Sequence, residues 1–260
     1  MERFPTVGGR RLRVAVRPGT DPDRPPLLLC NGIGADLTTL RRLVDALDPA
    51  IEVVRFDPPG VGGSPVPPLP YPFPLLARLV GRMLTALGYD RFDVLGVSWG
   101  GGLAQQLALQ NPRRCRRQVL VATATGSVMV PASPAVLLKM ATARRHLDIG
   151  YARAIAGEVY GGRLREHPDL VRELAGETSW RGYAYQLAAG LGWTSLPFLP
   201  LLRQRTLIMA GADDPIIPLV NARIMARLIP DARLHVYPDG HLGLLTMTDE
   251  LAAEVAAFLA

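Results

Sequence analysis

The segment that most constrains this chain runs from residue 92 to residue 111. It is an apolar stretch, Phe92-Asp-Val-Leu95, followed by Gly96-Val-Ser98-Trp-Gly100 and then by Gly101-Gly-Leu-Ala-Gln-Gln-Leu-Ala-Leu109. A short apolar run reads as a buried strand, and the leucine- and alanine-rich stretch as a helix stopped at Asn111-Pro112. Few residues separate the two, so the chain must turn sharply, and the glycines flanking Ser98 leave room for crowded backbone. A serine in such a turn exposes its hydroxyl beside the positive end of a helix, where a developing oxyanion would be stabilised. The competing reading is a glycine-rich junction that merely holds a serine; strand, motif and helix in register favour a nucleophile.

The same alternation recurs toward both ends of the chain. Strands are predicted at 11–16, 27–30, 52–56, 91–97, 118–122, 206–210 and 233–237, and helices at 37–47, 74–87, 99–111, 219–228 and 249–259. This pattern predicts the α/β class, with a mostly parallel central sheet flanked by helices. From 126 to 201 the strand signal disappears and helical patches take over, punctuated by Gly161-Gly162, Gly190 and Pro197. The expected organisation is therefore a core formed by 1–125 and 202–260, interrupted by a helical cap at 126–201. A chain of 260 residues suits one domain with such an insertion.

A serine hydroxyl is a weak nucleophile until a base takes its proton, and the base needs an acid to orient it. Of the four histidines, His146 and His167 fall in the insertion, and His235 lies inside the strand at 233–237, where packing accounts for it. His241 follows that strand in Pro238-Asp-Gly-His-Leu, at the end where catalytic groups of open α/β sheets gather. Asp213 and Asp214 follow the strand at 206–210 and both are open as the acid. The alternative location, Val121-Ala-Thr-Ala-Thr125, has no carboxylate.

These motifs resemble those of α/β-hydrolases, and together they are most similar to intracellular medium-chain-length poly(3-hydroxyalkanoate) depolymerases. The likeness rests on Asn31-Gly-Ile-Gly-Ala35, Phe56-Asp-Pro-Pro-Gly-Val-Gly-Gly-Ser64, Gly96-Val-Ser-Trp-Gly-Gly101 and Asp213-Asp-Pro-Ile-Ile-Pro218. Within the insertion it rests on Val128-Met-Val-Pro131, Tyr160-Gly-Gly162 and Gly190-Leu-Gly-Trp-Thr-Ser195, which carry most weight because caps set substrate choice. The resemblance implies an α/β-hydrolase fold with an inserted helical cap and a triad in the order Ser98, Asp214, His241. Asp214 is favoured over Asp213 because in such sequences the acid commonly stands three residues after the strand-ending glycine, here Gly211. It also implies an oxyanion hole made by the backbone N–H groups of Ile33 and Trp99. Many relatives carry His-Gly where this chain has Asn31-Gly32, and the turn at 57–64 is read as structural, with Ser64 no rival nucleophile.

The activity so implied is hydrolysis of an intracellular storage polyester to 3-hydroxy fatty acids through an acyl-enzyme. The expected partner is a hydrophobic polyester granule or a small-molecule ester, with no metal or organic cofactor required; neither HExxH nor a dinucleotide fingerprint is present. The same triad would serve a hydrolase of small soluble esters, lactones or carbon–carbon-bonded diketones, and a granule-binding scaffold on this fold is the non-enzymatic alternative. Met129, Met140, Trp180, Leu191, Trp193 and Phe198 could line an acyl pocket or touch a granule, but are expected mostly to pack the insertion onto the core.

Charge narrows the choice further. The net charge of +6 comes almost wholly from arginine, with Lys139 the single lysine. The densest cluster, Arg113-Arg114-Cys115-Arg116-Arg117, follows a predicted helix and reads as a solvated patch, with no nucleic-acid-binding signature beside it. No run is apolar and long enough for a membrane span, and the N-terminus lacks a signal-peptide pattern. Cys30 and Cys115 form no motif, so a cytoplasmic location, at a granule surface or free, is expected; oligomeric state is not encoded in any feature of the chain.

Overall fold

A computed structural model describes residues 1–142, 148–174 and 178–260, so His146 lies outside the described residues. The strands are β1 (Glu2–Arg3), β2 (Thr6–Val7), β3 (Arg10–Arg11), β4 (Val14–Arg17), β5 (Leu27–Cys30), β6 (Val53–Phe56), β7 (Phe92–Val97), β8 (Cys115–Val121), β9 (Arg205–Gly211) and β10 (Ala232–Tyr237). Eight of them form one sheet in the order β1-β4-β6-β5-β7-β8-β9-β10, while β2 and β3 pair as a separate hairpin. From β6 to β10 all neighbours are parallel; β4 and β1 join antiparallel at one side. The order reverses at β5, with β6 on one side and β7 on the other. The crevice at the carboxyl ends of β5 and β7 is thus the switch point where open α/β sheets bind ligands.

Strand side chains alternate between two helical layers, as the pleat requires. Leu28, Val94, Leu120 and Ile208 face α2 (Phe73–Ala86), α3 (Trp99–Gln110) and α7 (Leu219–Leu228). Leu27, Leu29, Leu95, Val119 and Leu207 face α1 (Arg41–Ala46), the short α8 (Gly243–Thr246) and α9 (Thr248–Leu259). Between β8 and β9 the described residues form α4 (Pro134–Ala141), α5 (Ile149–Tyr160) and α6 (Trp180–Gly190), with 3₁₀ turns at Gly162–Arg165, Pro168–Leu174 and Leu196–Leu201. No sheet strand occurs there among the described residues. No described helix is long and apolar enough to cross a membrane.

Three local readings change. The strand expected at 11–16 is broken, because Leu12 N–H bonds to Pro5 and Arg13 N–H to the Ser64 hydroxyl rather than to a sheet neighbour. The helix expected at 37–47 shrinks to α1. Its first turns are captured by side chains: Leu37 N–H donates to Asp57, and both the N–H and hydroxyl of Thr38 donate to Asp36. The arginine cluster is only partly solvated. Arg114 donates to the carbonyls of Asp90, Tyr89 and Gly81, Arg116 pairs with the buried carboxylate of Asp93 at 2.6 Å, and Arg116 and Arg117 both donate to the Leu259 carbonyl, tying β8 to the end of α9.

Candidate active site

Ser98 stands one residue beyond β7 and directly before α3, with φ 53° and ψ −118°. A non-glycine residue in that region is strained, and the surroundings hold it there. Ser98 N–H donates to Val121 at 2.9 Å, while Ser98 C=O accepts from Gly101 N–H at 2.9 Å and from the Thr123 hydroxyl at 2.7 Å. The glycines around it are demanded by close approach: a Cβ at Gly96 would lie 2.4 Å from the Gly100 carbonyl oxygen, and one at Gly100 2.1 Å from that of Cys30. The motif is therefore the local solution for packing a helix start against the ends of β5 and β7.

The loop after β5 runs alongside this turn. A Cβ at Gly32 would sit 3.9 Å from Ser98 Cβ, which puts the Asn31–Gly34 loop beside the nucleophile. Among the described residues, neither Ile33 N–H nor Trp99 N–H has a hydrogen-bond acceptor. Two unengaged amides flanking the serine are what a developing oxyanion needs. Asn31 is buried, and its side-chain N–H donates to the Asp36 carbonyl, so it braces its own loop.

The other two groups come from the far side of the sheet. Asp214, three residues past β9, is buried; its Oδ1 accepts from Ile216 and Ile217 N–H, both at 2.9 Å, and its Oδ2 lies 2.8 Å from His241 Nδ1. A carboxylate oxygen facing this nitrogen fixes the ring proton on Nδ1 and leaves Nε2 as an acceptor. Asp213 turns away from the histidine, accepts from Gly162 N–H at 2.8 Å and pairs with Arg165. That guanidinium holds the Asp213 carboxyl below the usual aspartate range. The remaining described histidines are elsewhere: His235 sits on β10 beside Glu254, and His167 is exposed between β8 and β9.

Sequence reasoning gave no role to the segment that joins the acid and histidine loops. Tyr160, at the end of α5, accepts the His241 N–H on its carbonyl at 2.7 Å, and its ring stacks on the imidazole with centroids 6.5 Å apart. Three residues on, Arg163 N–H donates to the buried Asp239 at 2.8 Å. The intervening Gly161 and Gly162 have positive φ, and a Cβ on Gly162 would fall 1.8 Å from Asp239 Oδ1. The Tyr160-Gly-Gly162 motif, counted above toward the family likeness, was the available signal. Of the apolar residues considered for an acyl pocket, Trp193 is buried against Phe73, whereas Trp180 and Leu191 are 78% and 79% exposed instead of packing inward. Ser64 is buried with its hydroxyl donating to the Asp57 carbonyl and accepting from Arg13 N–H, a brace for the turn. Among the described residues no group of three or more candidate ligands could hold a metal.

Comparison with known proteins adds to this geometry. The family model described as alpha/beta hydrolase fold matches residues 25–246. Over 256 residues the chain is 49% identical to a poly(3-hydroxyalkanoate) depolymerase from Ectopseudomonas oleovorans, covering 97% of this chain and 90% of that protein. It is 31% identical to a 2-hydroxymuconate semialdehyde hydrolase from Pseudomonas putida, over 68% of this chain and 66% of that one. Among solved structures, a hydrolase from Pseudomonas aeruginosa PA01 superposes with a TM-score of 0.83 at 28% identity, covering 100% of this chain and 98% of that one.

Proposed function

Because the chain belongs to the alpha/beta hydrolase fold family, we propose that it is a serine hydrolase of carboxylic esters whose substrate is a medium-chain-length poly(3-hydroxyalkanoate). The observation that carries this reading is the 49% identity to a poly(3-hydroxyalkanoate) depolymerase over 97% of the chain, a span that includes the insertion as well as the core. The core motifs are common to many chemistries, so a likeness that extends through 126–201 bears on substrate choice.

In the proposed reaction Ser98 Oγ attacks an ester carbonyl carbon while His241 Nε2 takes the hydroxyl proton. Asp214, bonded to Nδ1, holds the ring in that tautomer and stabilises the imidazolium that forms. The carbonyl oxygen gains negative charge and accepts from Ile33 and Trp99 N–H, each donor contributing on the order of 10²–10³ in rate. Collapse of the tetrahedral species expels the alkoxide, which takes the proton from His241 and leaves an acyl-Ser98 ester. Water, deprotonated by the same nitrogen, then attacks the acyl carbon and releases a 3-hydroxy fatty acid with Ser98 restored. The residues from 126 to 201 act as a cap over this chemistry, and the enzyme works inside the cell at the surface of a storage granule.

A second reading, hydrolysis of small soluble esters, lactones or carbon–carbon-bonded diketones, is favoured by the likeness to 2-hydroxymuconate semialdehyde hydrolase. Acid release from an emulsion of medium-chain polyhydroxyalkanoate, compared with Ser98→Ala, separates the readings. Release that vanishes in the variant is the expected result. No release, together with Ser98-dependent cleavage of a soluble nitrophenyl ester, would leave a hydrolase and remove the polyester, whereas polymer binding without cleavage of either would leave a scaffold.

A further inference from the structure

The reaction proposed above leaves a buried carboxylate beside its base without a task. Asp239 stands two residues before His241 and is shut off from solvent. A carboxylate taken out of water is costly unless donors surround it, and the donors here come from elements that border the His241 loop. Oδ1 accepts from Gly240 N–H at 2.6 Å and from Arg163 N–H at 2.8 Å, while Oδ2 accepts from the Thr246 hydroxyl at 2.5 Å, at the end of α8. The Arg163 guanidinium lies farther off, with Nε 3.8 Å from Oδ2. The main-chain carbonyl of Asp239 accepts as well, from Asp213 N–H at 3.1 Å in the loop that carries the acid. One residue therefore ties together the histidine loop, the acid loop, α8 and the turn that follows α5. That turn is what holds His241: the Tyr160 carbonyl accepts its main-chain N–H at 2.7 Å, and a Cβ on Gly240 would fall 2.0 Å from the same carbonyl oxygen. Residues 160–163 are thus pinned at one end by His241 and at the other by Asp239.

We propose that Asp239 is a positioning residue for His241: its carboxylate clamps the turn after α5 against the histidine loop and so sets where Nε2 stands relative to Ser98 Oγ. This rests on the serine-hydrolase reading above, whichever ester is cleaved. Proton transfer between serine and histidine depends on their separation, and a misplacement of about 1 Å costs on the order of 10²-fold in rate. The clamp acts through hydrogen bonds more than through charge, since an amide can reproduce its short contacts. In Asp239→Asn the side-chain oxygen would still accept from the two N–H groups. The Thr246 hydroxyl, which also lies 3.1 Å from the Leu242 carbonyl, would donate there and accept from the new side-chain nitrogen.

The test is kcat for a soluble nitrophenyl ester, expressed per serine titrated with a phosphonate ester, in the unaltered protein, Asp239→Ala, Asp239→Asn and Gly162→Ala. Counting titrated serines removes misfolded molecules from the figure, so a merely structural defect lowers the number of sites and leaves kcat per site where it was. Asp239→Ala is expected to lower kcat per site about 10²-fold with KM changed less than about threefold, and Asp239→Asn to retain most of the rate. Gly162→Ala reaches the same contact from the other side, because its Cβ would fall 1.8 Å from Asp239 Oδ1, and it is expected to lower kcat per site as well. The double variant Gly162→Ala/Asp239→Ala should lose no more than the larger single loss, since both act on one clamp. Unchanged kcat per site in Asp239→Ala would overturn the assignment, and so would a loss in Asp239→Asn equal to that in Asp239→Ala, which would place the effect in the charge. If Asp239→Ala does not fold, Gly162→Ala decides in the same way. Absence of Ser98-dependent cleavage in the unaltered protein would remove the serine-hydrolase reading and this assignment with it, whereas cleavage that the variants leave unmoved would remove the assignment alone.

Discussion

Asp213 and Asp214 follow one another in sequence, yet one faces Arg165 and the other His241. The backbone sets this division. Asp214 is drawn inward by the N–H groups of Ile216 and Ile217, while Asp213 faces the Gly162 amide at the surface. In the proposed mechanism Asp214→Asn lowers kcat by about 10⁴ through loss of the correct imidazole tautomer, whereas Asp213→Asn changes it less than about tenfold. Steady-state hydrolysis of a nitrophenyl ester by the two folded variants checks the pair; equal losses would remove the distinction. Spacing in the sequence left both aspartates open, and the likeness to known families favoured Asp214, whose carboxylate lies against His241 Nδ1. What neither supplied was Asp239, since an aspartate in a turn is ordinary and no spacing marks it.

At the level of elements, the turn between β7 and α3 was legible because its packing demand is local: small residues must stand where helix and strand cross. The strands were legible for a related reason. Burial on both faces forces continuous apolar runs such as Leu27–Cys30, all of it inaccessible to solvent. Leu28→Ala in the middle of β5 is expected to destabilise the fold by about 2–5 kcal/mol in denaturant titration, because the gap opens in a closed layer beneath α2 and α3. The helix expected at 37–47 was not legible, since its apolar periodicity is genuine but Asp36 and Asp57 capture its first amides. The docking of α6 was equally hidden. A Cβ at Gly182 would lie 1.9 Å from the Gly60 carbonyl oxygen, so Gly182→Ala should push α6 off that turn and loosen the hydrogen bond that Gln186 Oε1 accepts from Gly34 N–H. A lower Tm together with slower ester hydrolysis is the expected outcome, and an unchanged melt would show that the turn yields without cost.

For the whole molecule, the segment between β8 and β9 contacts the loops after β5, β6, β9 and β10. One polar contact at these junctions, between Asp213 and Arg165, gives stability a pH dependence. The folded Asp213 carboxyl titrates below its ordinary value near 3.8 because of Arg165 and the Gly162 amide. A carboxyl depressed on folding stabilises the folded state above the unfolded value, and the contribution is lost as pH falls through the folded one. Both side chains are about half exposed, which limits the effect to under about 1 kcal/mol. The Tm difference between the unaltered protein and Asp213→Asn is therefore expected to be small and positive at pH 7 and to close on acidification below 3.8. A difference that persists unchanged at low pH would place the contribution in the Gly162 contact instead.

The chain by itself determined what depends on neighbours in sequence: alternating strands and helices, a serine in a tight turn flanked by glycines, a stretch from 126 to 201 without strand signal, and a histidine and acids just past their strands. Periodicity and turn chemistry act over a few residues, so they can be read one segment at a time. Only the tertiary structure decided which aspartate meets His241, how Tyr160 to Arg163 bridge the acid and histidine loops, and that Gln186 reaches across 152 residues of sequence to Gly34. Those contacts depend on the relative placement of segments distant in sequence, which burial and hydrogen-bond satisfaction fix collectively once the sheet has formed.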